Sequence, residues 1–121
     1  MKQQYKFEKL QVWQLSLVLS DLVYEIDKFL PKSEVFNLSS QMRRAATSVS
    51  LNIAEGSTSA SNPEFKRYLG IALRSYIEVY ACYLLSVRRG YVNQELLLSI
   101  SFEETGAELF AKIQGLIKSL K

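Results

Sequence analysis

The segment Gln41–Gly56 limits the possible folds most strongly, because it carries two different helical faces. Apolar side chains recur along it every three or four residues, which places them on one side of an α-helix. These are Met42, Ala46, Val49 and Ile53. A polar stripe about a quarter-turn away consists of Gln41, Ser48, Asn52 and Glu55. The pattern predicts a helix that contacts several neighbours and keeps polar side chains at the edge of the core.

The remaining chain predicts three more helices with well-marked ends. Pro31 disfavours helical geometry at the residue before it and ends the first helix. Asn37 is a good N-cap for the second helix. Asn62 as the cap and Pro63 in the first turn suit the start of the third helix, and Gly90 suits its end. The predicted helices cover residues 7–29, 37–55, 62–89 and 93–119.

Three glycines refine this prediction. We expect Gly56 just beyond the end of the second helix, where glycine is favourable. Gly106 and Gly115 fall inside the fourth helix, where each costs roughly 1 kcal/mol relative to alanine. They predict a kink or a frayed end, or else a place where another helix approaches closely.

The architecture follows from these lengths and from the absence of strand-like alternation. Hydrophobic residues make up 48% of the 121 residues, too many for a disordered chain. Helices of about 20–28 residues would each span roughly 30–40 Å at 1.5 Å per residue. Joined by short loops, they predict an all-α fold, an antiparallel up-down-up-down four-helix bundle formed by one domain over residues 1–121.

The residue types exclude several classes of function. The chain has no histidine and one cysteine, Cys82, so we expect neither histidine-dependent catalysis nor an intrachain disulfide. It has no CxxC pair, no Glu-x-x-His motif and no glycine-rich phosphate loop. We therefore expect no enzymatic activity, no metal and no cofactor. No apolar run approaches ~18 residues, and no leader peptide is visible. These absences favour a cytoplasmic protein without a membrane partner.

The sequence of Gln41–Gly56, QMRRAATSVSLNIAEG, closely resembles a family signature, Q-I-R-R-A-A-x-S-I-x-x-N-I-A-E-G. That family consists of four-helix-bundle proteins encoded in the intervening sequences of bacterial 23S ribosomal RNA. Met42 and Val49 replace isoleucines, and both changes are mild. Three further stretches resemble the family's opening, first loop and third helix. They are residues 7–13, 29–34 and 64–78.

The resemblance implies a homopentameric ring of bundles with unknown function and no established enzymatic activity. A related group comprises the accessory proteins of diversity-generating retroelements, which bind nucleic acid and a reverse transcriptase. The implied partners are therefore other copies of the chain, RNA or DNA, and a reverse transcriptase or another protein.

The distribution of charge indicates where an anionic partner would bind. The net charge is +3, but residues 37–90 hold seven basic and only three acidic residues. Guanidinium and ammonium groups bind phosphate well. The candidate nucleic-acid-binding residues are Arg43, Lys66, Arg67, Arg88 and Arg89. The alternative interpretation is an ordinary solvated helix surface.

Polar residues of the second and third helices form another candidate group, the predicted polar seam. Its members are Arg44, Ser48, Asn52, Glu55, Ser75 and Glu78. We favour a structural role, because a satisfied network of buried polar groups can hold two helices in register. A ligand or RNA site is the alternative. Arg43 and Arg44 diverge by about 100° on the helix, so one of them is expected to pair inward with Glu55 or Glu78.

A second apolar stripe on the third helix, together with an apolar residue opposite the core stripe of the second, predicts an oligomer interface. The residues are Leu51, Leu73, Ile77, Tyr80 and Leu84. A wider core that touches two neighbouring helices is the alternative. Two hypotheses about function remain: an oligomeric nucleic-acid-binding accessory protein, and a ring-forming scaffold whose ligand is another protein.

Overall fold

The computed structural model describes residues 4–121, and this part of the chain contains four long α-helices and no strand. The helices are α1 (Gln11–Asp27), α2 (Leu38–Ser57), α3 (Asn62–Arg88) and α4 (Leu97–Ser119). Two short 3-10 turns, Lys6–Lys9 and Lys32–Glu34, precede α1 and α2. The predicted all-α fold is confirmed. Within the described residues, no helix is both long and apolar enough to span a membrane.

Each helix packs against the next one in the chain, and α4 packs back against α1. Neighbouring helices are antiparallel. Ser16 in the first half of α1 contacts Ser50 in the second half of α2, whereas Asp27 at the end of α1 contacts Arg43 in the first half of α2. The bundle therefore has two ends. At the lower end α1 and α3 begin while α2 and α4 finish. At the upper end α1 and α3 finish while α2 and α4 begin.

All four helices contribute to one apolar core. Its largest fully buried side chains come from every helix and include Leu19, Met42, Ile53, Leu69, Tyr83, Phe102, Leu109 and Ile113. Burying an aliphatic or aromatic side chain of this size contributes about 1.5–3 kcal/mol. The polar residues Ser16 and Ser50 are also buried, and their hydroxyls form a 2.9 Å hydrogen bond between α1 and α2.

Two helices begin later than the sequence predicts, because local hydrogen bonds hold the preceding residues in turns. Leu10 is extended, with φ −74° and ψ 128°, so α1 begins at Gln11 and residues 6–9 form a separate turn. In that turn the Glu8 carboxylate accepts a 2.9 Å hydrogen bond from the Tyr5 backbone N–H. Asn93 likewise accepts from the Glu95 N–H at 2.8 Å, a turn that delays α4 until Leu97.

Two helix-end predictions for α2 and α3 were wrong. Gly56 lies inside α2 and is buried, because Phe65 and Tyr68 of α3 pack directly against its Cα face. Ser61, not Asn62, caps α3, and its hydroxyl accepts a 3.3 Å hydrogen bond from the Glu64 N–H. Gly90 does follow the end of α3, in a left-handed conformation with φ +80°.

Candidate nucleic-acid and subunit interfaces

Part of the predicted polar seam lies between α2 and α3. The Ser48 and Ser75 hydroxyls are 2.9 Å apart across the two helices. The Asn52 side-chain amide donates to the Ser48 backbone carbonyl at 2.8 Å and to the Ser48 hydroxyl at 3.0 Å. The three half-buried side chains satisfy one another. This geometry supports the structural interpretation.

The charged members of the predicted seam lie outside this network. Arg44, Glu55 and Glu78 are exposed, and none forms an ion pair within residues 4–121. Helical geometry explains this, because Glu55 and Arg44 project from the side of α2 that points away from the core. This outward row, which we call the outer stripe of α2, consists of Arg44, Thr47, Leu51 and Glu55.

Arg43 is paired, but its partner is different from the predicted one. Its Nε lies 3.9 Å from a carboxylate oxygen of Asp27 and donates to the Ser39 backbone carbonyl at 3.3 Å. The predicted pairing of an arginine with Glu55 or Glu78 was wrong, because Arg43 faces α1 rather than α3. Sequence reasoning did not identify Asp27, the last residue of α1, as the partner of Arg43. Arg43 is consequently a weak candidate for phosphate binding.

The other predicted nucleic-acid-binding residues do not form one patch. Lys66 and Arg67 lie in the first turns of α3, whereas Arg88 and Arg89 lie at its end. These two pairs are about 33 Å apart along the helix axis. The Arg67 guanidinium lies over the Tyr68 ring, 4.7 Å from its centroid. Lys66 and Arg67 therefore belong to a different surface from Arg88 and Arg89.

The lower end of the bundle collects most of the excess positive charge. Because α1 and α3 begin there and α4 ends there, residues that are distant in sequence come together. The basic residues are Lys6, Lys9, Lys66, Arg67, Lys112, Lys118 and Lys121, and the acidic ones are Glu8, Glu55, Glu64 and Glu108. A single ion pair within the described chain neutralises part of this set, Lys112 with Glu108 at 3.7 Å. The cluster could not be recognised from charge counts along the sequence.

A buried carboxylate joins the two loops at the upper end. Glu34 is only 8% exposed, and its carboxylate accepts from the Tyr91 hydroxyl at 2.9 Å and from the Asn37 side chain at 3.0 Å. The hydrogen bond from Tyr91 is the main reason why the pKa of Glu34 is lowered, and Arg89 lowers the pKa further. The same bond raises the pKa of Tyr91. Arg89 thus lies beside a carboxylate, which weakens its role in phosphate binding.

An apolar groove runs between α3 and α4. Its lining residues are Tyr76, Ile77, Tyr80, Ala107 and Phe110, and its volume is about 300 Å³. Gly106 leaves room for the Tyr76 ring that lines the groove, because a Cβ at position 106 would lie 2.8 Å from Cε1 of that ring. The expected close approach at Gly106 is therefore made by the end of a tyrosine ring from α3 and not by the α3 backbone. Gly115 has no atom within 4 Å of a built Cβ.

The predicted oligomer interface divides between two surfaces. Ile77 and Leu84 are 52% and 41% exposed and lie on the α4 side of α3, next to the groove. Leu73 and Tyr80 are half-buried on the same side and pack against the core. Leu51 is 55% exposed on the outer stripe of α2. The five residues therefore do not form one continuous patch on a subunit.

Glu103 of α4 lies at the upper end of the groove, and sequence reasoning missed it. Its carboxylate accepts hydrogen bonds from the Tyr83 hydroxyl at 2.7 Å and from the Tyr80 hydroxyl at 3.3 Å. Burial and the bond to Glu103 raise the pKa of Tyr83 to about 12. No cation forms an ion pair with Glu103 in the described part of the chain.

Groups able to perform covalent chemistry are sparse. Among residues 4–121, no three metal-ligating side chains cluster together. Cys82 is buried on α3, and burial raises the pKa of its thiol above the ordinary value. A protonated, buried thiol is a poor nucleophile.

Comparison with known proteins agrees with this architecture. The family model described as 23S rRNA-intervening sequence protein matches residues 8–115. The chain belongs to this family. A similar solved structure is a protein of unknown function from the S23 ribosomal protein family of Bacteroides thetaiotaomicron VPI-5482. The two sequences are 28% identical, and the match covers 89% of this chain and 99% of the Bacteroides chain. The two structures superpose with a TM-score of 0.78. Comparison with curated proteins finds no match.

Membership of the 23S rRNA-intervening sequence protein family confirms the predicted resemblance. In this member of the family, the signature segment Gln41–Gly56 forms most of α2. One side of it enters the core, another meets α3 through Ser48 and Asn52, and the outer stripe stays exposed. The exposed side is the part of the signature that intramolecular packing does not explain.

Proposed function

We propose that this member of the 23S rRNA-intervening sequence protein family is a non-enzymatic, homo-oligomeric accessory protein that binds RNA or DNA. A homopentameric ring is the proposed assembly, and the cytoplasm is its proposed location. The lower end of the bundle is the proposed nucleic-acid-binding surface. Several copies of this surface in one assembly would contact neighbouring phosphates of the same strand.

One observation carries this proposal: the lower end holds seven basic residues against four acidic ones, although they come from four separate parts of the chain. Lys6, Lys9, Arg67 and Lys118 are exposed. Ammonium and guanidinium groups on mobile side chains bind a phosphate backbone without base specificity. The exposed ring of Tyr5, 6.4 Å from Phe7, offers a neighbouring surface on which a base can stack.

The proposal is tested by measuring the affinity for single-stranded RNA and for duplex DNA over a salt series, with protein freed of nucleic acid. Phosphate contacts release counterions, so log K should fall linearly with log salt, with a slope of about −0.9 per contact for B-DNA and −0.7 for a single strand. Absence of binding at low salt would contradict the proposal.

Two matched double variants locate the surface. Lys9→Glu with Arg67→Glu alters the lower end, and Arg88→Glu with Arg89→Glu makes the same change of charge at the upper end. The first should reduce the slope by about 1.4–1.8 per bound subunit, which is the loss of two phosphate contacts. The second should change it much less. Equal effects of both pairs would mean that only net charge matters.

The second candidate function is a ring-forming scaffold that binds another protein, such as a reverse transcriptase, and no nucleic acid. The exposed apolar side chains of Leu51, Ile77 and Leu84 favour it, since such surfaces mark protein contacts. A stable assembly with no nucleic-acid affinity at low salt would support the scaffold. A reverse-transcriptase gene beside this one would favour the retroelement group within either hypothesis.

A further inference from the structure

We infer that the groove between α3 and α4 binds the outer stripe of α2 from a second copy of the chain, with Leu51 in the apolar groove. The inference rests on the proposed homo-oligomer and specifies which two surfaces meet. Because the two surfaces are different, each copy offers one of them to each neighbour.

The outer stripe of α2 has a fixed order of chemistry. Arg44 lies at its upper end, Leu51 near its middle and Glu55 at its lower end. All three are exposed, and neither charge has a partner within residues 4–121. The order along the stripe is therefore basic, apolar, acidic. Leu51 is 55% exposed, so more than half of its surface is available to a partner.

The groove has the opposite order. Glu103 lies beside Tyr80 at its upper end, and the apolar lining continues down to Tyr76 and Phe110. Lys66 of α3 lies ten positions before Tyr76, about 15 Å below this lining and level with Lys118 of α4. Glu103, Lys66 and Lys118 form no ion pair in the described chain. Acidic, apolar and basic groups thus succeed one another from top to bottom. Two copies in the same orientation would set Arg44 against Glu103 and would place Glu55 on the side toward Lys66 and Lys118.

The dimensions of the two surfaces agree at the upper end of the groove. Arg44 and Glu55 are 11 positions apart, which is about 16 Å along α2. With Leu51 at the level of Ile77, Arg44 lies about 10 Å above that level and Glu103, beside Tyr80, about 5 Å above it, a difference that the long arginine side chain covers. Glu55 lies about 6 Å below the same level and Lys66 about 16 Å below it, so these two charges attract without direct contact. The groove volume of about 300 Å³ exceeds what one leucine side chain needs, so Leu51 enters with part of its own helix surface.

Glu103 adds a reason why a cation belongs at the upper end of the groove. Its carboxylate is half-buried and is held by two tyrosine hydroxyls, which orient it without neutralising it. A guanidinium brought by a second copy would supply the missing charge and can also pack on the Tyr80 ring. Arg44 is the exposed arginine that the outer stripe carries at the corresponding position.

The resulting contact is heterologous, and its consequence for assembly is definite. A heterologous contact forms a closed ring when its rotation closes and an open chain when it does not. A two-fold symmetric dimer is excluded by this contact, because a symmetric dimer places the same surface of both copies together. This distinction gives the inference a direct test.

Cysteine cross-linking provides that test. In a Cys82→Ala background, Leu51→Cys with Ala107→Cys should form a disulfide-linked ladder of copies on mild oxidation. Either single cysteine variant should stay unlinked. The matched control pairs Leu51→Cys with Ala81→Cys, because Ala81 is equally exposed on α3 but lies outside the groove lining. Linking of the Leu51→Cys single variant, or a stronger ladder with Ala81→Cys, would overturn the inference.

A charge exchange tests the polar end of the contact. Arg44→Glu and Glu103→Arg should each weaken association by roughly three- to tenfold, and the double variant should regain wild-type association within about twofold. Neither side chain has an ion pair to lose within the described monomer. Additive losses in the double variant would contradict the inference.

Light scattering on the same samples separates the two claims. If the wild type is an oligomer and the control variant gives the stronger cross-linking, the assignment of surfaces is wrong but the homo-oligomer stands. A monomeric wild-type protein at every concentration refutes both.

Discussion

The contact between α2 and α3 differs from the contact between α3 and α4 in the same bundle. Between α2 and α3, Gly56 lets the helices approach closely, and hydrogen bonds link Ser48 to Asn52 and to Ser75. Between α3 and α4, aromatic rings hold the helices apart, and an apolar groove remains with the unneutralised Glu103 at one end.

The difference separates residues that hold the subunit together from residues that are available to a partner. Close packing at Gly56 and the hydrogen bonds of Ser48, Asn52 and Ser75 leave little surface for a partner at the α2–α3 contact. Large rings that do not fill their space leave apolar surface at the α3–α4 contact, where burial would yield about 25 cal/mol per Å² on association. We therefore expect mutations at the first contact to change folding and mutations at the second to change assembly.

The largest difference is expected between two aliphatic residues of α3. Leu69 is fully buried, so Leu69→Ala should lower the free energy of unfolding by about 2–5 kcal/mol at any protein concentration. Ile77 borders the groove and is half-exposed, so Ile77→Ala should cost less than about 1 kcal/mol in dilute protein. Urea denaturation at two protein concentrations measures both. A large, concentration-independent loss for Ile77→Ala would remove the distinction.

Glycine substitutions give a smaller effect. A Cβ at Gly56 would lie 2.7 Å from Cβ of Tyr68, an atom that cannot move without the backbone, so Gly56→Ala should destabilise by about 1–3 kcal/mol. A Cβ at Gly106 would meet the end of the Tyr76 ring, which can turn toward the groove, so Gly106→Ala should cost less than about 1 kcal/mol.

Gly115→Ala is the control for both glycine variants, since its Cβ would meet nothing within 4 Å. The higher helix propensity of alanine should stabilise this variant by up to about 1 kcal/mol. Thermal unfolding of the three variants ranks them. A Gly106→Ala variant less stable than Gly56→Ala would show that the α3–α4 contact is the tighter one.

The hydroxyl pair between α2 and α3 should contribute a modest amount. Ser48→Ala and Ser75→Ala should each cost about 0.5–1.5 kcal/mol, and the double variant should cost less than their sum because both remove the same 2.9 Å contact. Thr47→Ala, on the exposed side of α2, should stay within about 0.5 kcal/mol. Fully additive losses would mean that the two hydroxyls do not interact.

The smallest effect concerns acidity at the upper end, where Glu34 ties the loop before α2 to the loop before α4. The folded pKa of Glu34 is lowered, so its contribution is complete above its unfolded pKa of about 4.3 and disappears as pH falls through the folded pKa. Between about pH 5 and pH 3, Glu34→Gln should therefore lose less stability than the wild type. Parallel pH profiles would show that the carboxylate contributes nothing.

The sequence predicted the elements of the fold because the core depends on local periodicity. The spacing of Met42, Ala46, Val49 and Ile53 placed the buried side of α2, and all four are fully buried. Helix ends were harder, since a single side chain such as Asn93 can form a turn as readily as a cap. Gly56 was misplaced because its role depends on Phe65 and Tyr68, which arrive from another helix.

The candidate surfaces were less predictable, because they depend on which helices become neighbours. Ser48 and Asn52 could be placed on one side of α2 from their spacing, but the pairing of Arg43 with Asp27 required the orientation of α1. The basic lower end combines residues from both termini with the start of α3. Glu103 carries no local signal at all, since its two tyrosine partners are 20 and 23 positions away.

Mixing two defective variants measures most directly whether the groove accepts a second copy. Leu51→Asp damages the outer stripe and keeps the groove, whereas Ala107→Trp fills the groove and keeps the outer stripe. Each variant alone should be monomeric by native mass spectrometry. Their equimolar mixture should form a heterodimer and nothing larger, because one intact pair of surfaces remains. Variants that each keep the wild-type mass, or a mixture that stays monomeric at concentrations where the wild type assembles, would show that these surfaces do not meet.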